Sequence, residues 1–183
     1  GHSIAGEHAG YLVWVWGELM TNLSSEIGKI AAYASGQRVT RADIDAVAIP
    51  QMDAIVFQMT DAIARRNFNK AASVLADLLH GQESPLMILS VMGKYFRQLY
   101  TARLYLDRGK GRSELLTLWN MRNAYPADKL MDAARGFSLA WCRYAVQRCA
   151  ETELRLKASY GQERELLCGL LMELAAGRKA IPC

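Results

Sequence analysis

The chain has 183 residues, of which 51% are hydrophobic and 22% are charged, and its formal net charge is +4. Such values are typical of a globular domain, and they exclude a disordered chain, a coiled-coil rod and a densely basic nucleic-acid-binding surface. Acidic residues outnumber basic ones by five to three in residues 1–50, whereas basic residues outnumber acidic ones by 19 to 13 afterwards. This mild positive excess allows contact with phosphate without requiring it.

The first 50 residues predict three helices that form one small bundle. Apolar residues fill segment 11–20 and then recur at helical intervals through the second helix, at Leu23, Ile27, Ile30 and Ala34. Thr40 followed by Asp43 is a variant of the capping box and predicts the start of a short third helix, which Pro50 closes.

Two tryptophans stand two residues apart in the first helix. Trp14 and Trp16 point to different sides of a helix, so we expect one of them to be partly exposed unless something covers it. Burial against a domain outside this chain and ordinary core packing both fit this spacing.

Residues 51–183 predict a second helical domain. The expected helices cover residues 53–66, 70–80, 85–107, 114–121 and 161–177, and a long helix runs from Pro126 towards Arg155. Asn69 is the expected cap of the second helix, Ser84-Pro85 the expected start of the third, and Ser113 the expected cap of the fourth. No segment combines alternating polarity with β-branched residues, so the predicted fold class is all-α.

The sequence lacks the common patterns of catalysis and of cofactor or metal binding. It has no GxxxxGK[ST] or GxGxxG motif, and its four cysteines, Cys142, Cys149, Cys168 and Cys183, form no CxxC pair. Its acid pairs are spaced i, i+2, which points the two carboxylates of a helix to different faces. We therefore expect no enzymatic activity, no cofactor, no metal, and reduced thiols in a cytoplasmic protein.

Two further expectations concern the whole chain. No apolar run reaches the ~18 to 20 residues that a membrane-spanning helix needs, so we expect no membrane partner. Residues 1–3, without an initiator Met, have the form of a cloning remnant. We expect the chain to be an excised piece from which an upstream domain has been removed.

The helix predicted over residues 85–107 contains the candidate contact residues. Helical geometry assigns one stripe to the core, at Leu89, Met92, Phe96, Leu99 and Arg103. The candidates for contact with another protein lie outside this stripe, at Lys94, Tyr95, Gln98 and Tyr105. Single-strand binders combine several exposed aromatics with a continuous basic groove, so the pattern favours a protein scaffold over nucleic-acid recognition.

The loop that follows this helix is basic and rich in glycine. Its candidate phosphate contacts are Arg108, Lys110 and Arg112. A basic loop between helices is usually only solvated, so the expected contact with DNA is indirect at most.

Two blocks of the chain resemble the delta subunit of the bacterial DNA polymerase III clamp loader. The family pattern "dL..L..EieKL..Y..g..It..dV" is matched in residues 19–47 by Leu23, Glu26, Ile27, Lys29, Ile30, Tyr33, Gly36, Val39, Thr40, Asp43 and Val47. Residues 56–109 are similar to the family's second block, and Phe137, Ser138, Glu153 and Lys157 hold the places expected after it. The resemblance covers nearly all of residues 10–175.

The resemblance implies a lid-like three-helix domain over residues 1–50 and a helical collar domain over residues 51–183. In this family the collar domains pack into a hetero-pentameric ring with the ATPase and companion subunits, and the N-terminal domain, absent here, contacts the sliding clamp. Lys94, Tyr95, Gln98 and Tyr105 then become candidate contacts with neighbouring subunits. The implied function is a non-catalytic scaffold in DNA replication, and the alternative is a stand-alone helical nucleic-acid-binding domain.

Overall fold

The computed structural model describes residues 1–16, 20–47, 52–159 and 161–180. These residues form ten α-helices: α1 Gly6–Trp16, α2 Met20–Tyr33, α3 Arg41–Val47, α4 Met52–Ala64, α5 Phe68–His80, α6 Pro85–Asp107, α7 Arg112–Leu118, α8 Ala124–Arg135, α9 Leu139–Ala158 and α10 Glu163–Ala180. The all-α prediction is confirmed. The one addition is a short parallel pair of strands, β1 Ser3–Ile4 and β2 Arg38–Val39.

Several helices begin where local side-chain chemistry predicts. The Asp43 carboxylate accepts hydrogen bonds from the Thr40 backbone N–H at 2.8 Å and from the Thr40 hydroxyl at 2.7 Å, so the predicted cap of α3 is confirmed. Pro85 occupies the first turn of α6 after Ser84, as predicted. Pro50 and the predicted boundary between residues 50 and 51 lie outside the described residues.

Two predicted caps are wrong by two residues. The cap of α5 is Asn67, whose side-chain oxygen accepts a hydrogen bond from the Lys70 N–H at 3.1 Å, and Asn69 lies inside the first turn. Similarly, α7 starts at Arg112 because Gly111 takes the cap position and donates its N–H to the Glu114 carboxylate at 3.1 Å.

The predicted long helix from Pro126 towards Arg155 is also wrong, because two helices occupy this range. Gly136 ends α8, and Ser138 caps α9 by accepting a hydrogen bond from the Trp141 N–H at 3.2 Å. The chain turns between them, and Phe137 is buried at the turn. The break lets α8 and α9 each pack against α6 as a separate helix.

The buried side chains form two clusters. The N-terminal core is built from α1–α3 and β2, with members from Tyr11 to Ile44. The C-terminal core is built from α4–α10, with members from Val56 to Leu174. Helix α6 is central in the second cluster because it packs against α4, α8, α9 and α10.

The predicted core stripe of α6 is largely confirmed. Leu89, Met92, Phe96 and Leu99 are buried. Arg103 is the exception, because its side chain remains partly exposed, pairs with Asp107, and donates to the Ala134 carbonyl at 3.4 Å. Its charge keeps the guanidinium at the edge of the core.

Cys142 and Cys149 are buried thiols and Cys168 is a partly buried thiol, as predicted for reduced cysteines, whereas Cys183 lies outside the described residues. Burial raises the pKa of the Cys149 thiol to about 12, so this side chain stays protonated and inert near neutral pH. Among the helices described, none has the length and apolarity that crossing a membrane requires.

Candidate protein-protein interface

Three of the candidate contact residues, Lys94, Tyr95 and Gln98, lie at the junction between the two cores. Lys94, which is exposed, and Gln98, which is partly exposed, stand one turn apart on α6. They line a cavity of about 200 Å³, the junction cavity, which Trp14 of α1 and Pro126 of α8 also line. A partner that contacts Lys94 or Gln98 would therefore also meet the joint between α1 and the C-terminal core.

Tyr95 is not an exposed contact residue, and the prediction that it lies outside the core is wrong. Its side chain is only 4% exposed. The ring packs edge-to-face on Phe57 of α4 at 5.2 Å and on Phe96 at 5.6 Å between ring centroids. Burial raises the pKa of the phenol, which therefore stays neutral. Helix α4 packs on the face of α6 that contains Tyr95. The helical period alone predicts this face to be exposed.

Tyr105 is partly exposed at the C-terminal end of α6, about three turns from Lys94. The Lys110 ammonium lies 5.1 Å from the centre of its ring. Tyr105 lines a shallow groove of about 450 Å³ together with Thr117 and the half-exposed Leu118 of α7. The structure thus does not bring the four candidates together.

The basic loop has fewer available charges than its sequence indicates. Arg112 donates two hydrogen bonds from one nitrogen to the Asp128 carboxylate, at 3.1 and 3.0 Å. Lys110 lies over the Tyr105 ring, and Arg108 is exposed. Two of the three predicted phosphate contacts are therefore engaged within the chain.

Sequence reasoning missed the contacts that fix α1 against the C-terminal core. The Trp14 ring lies 4.9 Å from Phe57 and 5.6 Å from Tyr125, centroid to centroid. The Asn123 side chain donates to the Gly10 carbonyl at 2.7 Å. Trp14 is therefore partly buried within the chain and, as predicted for one member of the pair, remains partly exposed, whereas Trp16 is buried. Nothing in the sequence marks Asn123 or Tyr125 as partners of α1.

A polar cluster strengthens the same junction. The Tyr11 hydroxyl donates to the Asp45 carboxylate at 2.5 Å, and the Arg41 guanidinium lies 3.7 Å from the centre of the Tyr11 ring. Arg41 also donates to the Tyr125 hydroxyl at 2.9 Å. Burial, together with the bond to Asp45, raises the pKa of Tyr11 to about 12, so its phenol remains a donor. Helix α3 is thereby connected to α8.

The C-terminal core also has large apolar side chains on its outer surface. Leu154 of α9 is 70% exposed and Met172 of α10 is 67% exposed. Single exposed apolar side chains are common, so neither defines an interface alone. Within the described ranges, no cluster of three His, Cys, Asp or Glu side chains is arranged to hold a metal ion.

Comparisons with known proteins agree with this architecture. A family model described as the C-terminal domain of the DNA polymerase III delta subunit matches residues 53–174. The chain is 21% identical over 174 residues to the DNA polymerase III subunit delta of Bacillus subtilis, covering 94% of this chain and 50% of that protein. It is 24% identical over 127 residues to the probable DNA polymerase III subunit delta of Aquifex aeolicus, covering 68% and 36%.

The fold has a solved counterpart. It matches the DNA clamp loader delta protein of Bacillus subtilis with a TM-score of 0.77 at 20% identity, over 96% of this chain and 52% of that one. The chain spans about half the length of the Bacillus subtilis relative and a smaller part of the Aquifex aeolicus one. Because the family model matches about two thirds of its residues, the chain belongs to the family defined by the C-terminal domain of the DNA polymerase III delta subunit.

Proposed function

We propose that this chain is a non-catalytic scaffold part of a replicative clamp loader delta subunit. In this role it assembles with the ATPase and companion subunits that load the sliding clamp on DNA. The supporting observation is that the family-matched residues 53–174 coincide with the C-terminal core, whose members run from Val56 to Leu174. A region with one continuous core is a rigid unit, so it loses little conformational entropy when it binds other subunits.

The two cores support a division into a lid-like domain, residues 1–50, and a collar domain, residues 51–183. Residues Tyr11 to Ile44 and residues Val56 to Leu174 pack separately, and α1 is the main contact between them. In this proposal the collar binds neighbouring subunits, and the lid-like domain keeps its position on the collar through Trp14 and Tyr125.

The proposed partners are the ATPase and companion subunits, in a hetero-pentameric ring. Lys94, Gln98 and Tyr105 stay candidate contacts with these subunits, and Leu154 and Met172 are exposed on the same domain. Contact with the sliding clamp belongs to a domain outside this chain, and contact with DNA is indirect. The proposed location is the cytoplasm, where the replication machinery of a bacterium works.

We do not propose the stand-alone nucleic-acid-binding domain as a second function. Single-strand binding uses a continuous basic groove with stacked aromatics. In the loop, Arg112 is paired with Asp128, and Tyr95 of α6 is buried and unable to stack on a base. Arg108 and Lys110 alone do not make such a groove.

A binding titration with competition tests the proposal. The chain, labelled with a fluorophore, is titrated with the ATPase and companion subunits of its own organism, and fluorescence anisotropy reports binding. We expect saturable binding that the unlabelled full-length delta subunit of that organism abolishes. Binding that full-length delta leaves unchanged, or no binding to folded and active subunits, would contradict the proposal.

A further inference from the structure

The outer face of the α6–α9 pair contains a groove of about 470 Å³, the α6–α9 groove. Its floor is apolar and includes the half-buried Tyr100 and Val146 and the exposed Ala150. Val146 and Ala150 are four residues apart on α9, and Leu154, 70% exposed, continues the same stripe one turn further. The groove is separate from the junction cavity and from the basic loop.

Two arginines border this groove. Arg97 of α6 and Arg143 of α9 are exposed, and the guanidinium group of neither forms an ion pair or a hydrogen bond with another described residue. Glu151 on α9 pairs with Arg148, and Glu153 accepts from Lys157 at 2.6 Å. The hydrogen bond from Lys157 and, to a smaller extent, the charge of Arg97 lower the pKa of Glu153, but no ion pair joins Arg97 to Glu153. The rim therefore has two cations without a paired carboxylate among the described residues.

We propose that the α6–α9 groove binds an acidic amphipathic helix of a companion protein of the clamp loader. This inference rests on the proposed function and names the surface and the chemistry of the contact. The apolar floor matches the apolar face of such a helix, and helices commonly bind in grooves of this kind. Carboxylates beside that face pair with Arg97 and Arg143, because guanidinium groups form the strong bidentate hydrogen bonds with carboxylates.

The apolar floor also distinguishes this occupant from nucleic acid. A phosphate backbone requires a row of cations along its path, whereas this groove has one arginine on each helix, the neutral polar side chains Thr101 and Gln147, and otherwise apolar or aromatic lining. Tyr100 is the one aromatic side chain among the lining residues of this groove, whereas single-strand binders stack successive bases on several aromatic rings. Charge and apolar surface together thus favour a protein partner.

Two variants test the contact in the full chain. The double charge reversal Arg97→Glu with Arg143→Glu should weaken binding of the companion subunits by at least about tenfold, because two attractive pairs become repulsive. Ala150→Trp fills the groove without changing its charge and should weaken binding to a similar extent. The matched control is Arg66→Glu with Lys70→Glu, an equal change of charge at exposed positions outside the groove, which should leave the affinity within about twofold.

Titrations of each variant with the companion subunits, at low and high salt, give the affinities, and circular dichroism confirms folding. If the wild-type chain binds and both groove variants bind equally well, the inference is wrong and the proposed function stands. If the wild-type chain binds none of the subunits, both are wrong. If the charge reversal instead abolishes binding of labelled single-stranded DNA and leaves binding to the subunits unchanged, the groove is a nucleic-acid site and the inference is overturned.

Discussion

At the scale of single residues, aromatic side chains connect α1 to the interior of the C-terminal core. Trp14 contacts Phe57, Phe57 contacts Tyr95, and Tyr95 contacts Phe96, at centroid distances of 4.9, 5.2 and 5.6 Å and all close to edge-to-face. Each such pair adds roughly 0.5–1.5 kcal/mol beyond the burial of its area. Tyr95 lies in the middle of this series, so its removal affects the contacts on both sides.

We expect Tyr95→Ala to lower the free energy of unfolding by about 3–5 kcal/mol, because it leaves a cavity next to Phe57 and Phe96. Tyr95→Phe keeps the ring and should change stability by about 1 kcal/mol or less. Urea denaturation of both variants measures the difference. A small loss for Tyr95→Ala would mean that Tyr95 lies on the surface, as its sequence position indicated.

A second residue-scale prediction concerns pH. The hydrogen bonds from the Thr40 side chain and backbone lower the pKa of Asp43. A lowered pKa in the folded state means that the carboxylate stabilises the fold above its unfolded pKa of about 4, and that this contribution is lost as the pH falls through the folded pKa. We therefore expect Asp43→Asn to be less stable than the wild type at pH 7, with a deficit that is smaller at pH 3 and disappears only below the folded pKa. An equal deficit at both pH values, by urea denaturation, would contradict this account of the cap.

At the scale of helices, the periodicity of α6 predicts one buried stripe correctly and misses the second side. Leu89, Met92 and Phe96 follow from the helical period. Tyr95 and Ala102 are buried as well, because α6 is surrounded by several helices. The number of neighbours around a helix depends on the packing of distant segments, which no local pattern specifies.

Helix boundaries show a similar limit. The Thr40 cap and the Ser84-Pro85 start were predictable because only one capping residue stands at each site. Two asparagines, Asn67 and Asn69, stand near the start of α5, and Asn67 is the residue that caps the helix. Between α8 and α9, Gly136 ends the first helix and Ser138 caps the second. Both residue types are common at these positions, so the break has a local signal in the sequence.

Helix α10 contains two glycines that differ in their surroundings. A Cβ on Gly169 would meet open space, whereas a Cβ on Gly177 would lie 2.4 Å from the Tyr144 ring of α9. We expect Gly169→Ala to stabilise the protein by about 0.5–1 kcal/mol through helix propensity. Gly177→Ala should destabilise it, because the displaced Tyr144 ring loses its packing and its hydrogen bond to the Glu173 carbonyl.

Thermal or urea denaturation of the two single variants measures the contrast. The pair controls for composition, because both changes add one methyl group to the same helix. Equal stabilisation by both substitutions would show that the approach of Tyr144 to Gly177 is not a real constraint on the packing of α9 against α10.

At the scale of the whole molecule, α1 connects two separately packed cores. The Trp14 contacts, the Asn123 bond to Gly10 and the Arg41 bond to Tyr125 all cross this junction. Apolar periodicity and capping residues predicted the fold class and most of the helices, and the resemblance to clamp-loader delta subunits implied a division into two domains. It did not predict these contacts, which depend on side chains that lie far apart in the chain.

We expect Trp14→Ala to weaken the junction without unfolding the C-terminal core. Loss of the half-buried indole should cost roughly 2–3 kcal/mol locally and speed amide hydrogen exchange in α1 at least about tenfold. Amides of α6 and α9 should keep their protection, and Tyr33→Ala, at an exposed position of α2, is the control. Equal acceleration in all helices would show that the two cores unfold as one unit.

We propose that this chain assembles as one member of a clamp loader. Light scattering tests this by giving the mass of the complex formed when the chain is mixed with the ATPase and companion subunits of its own organism. We expect one peak whose mass equals the partner subunits plus a single 20.4 kDa copy of this chain. Elution of the chain as a separate peak, beside folded and assembly-competent partners, would contradict it.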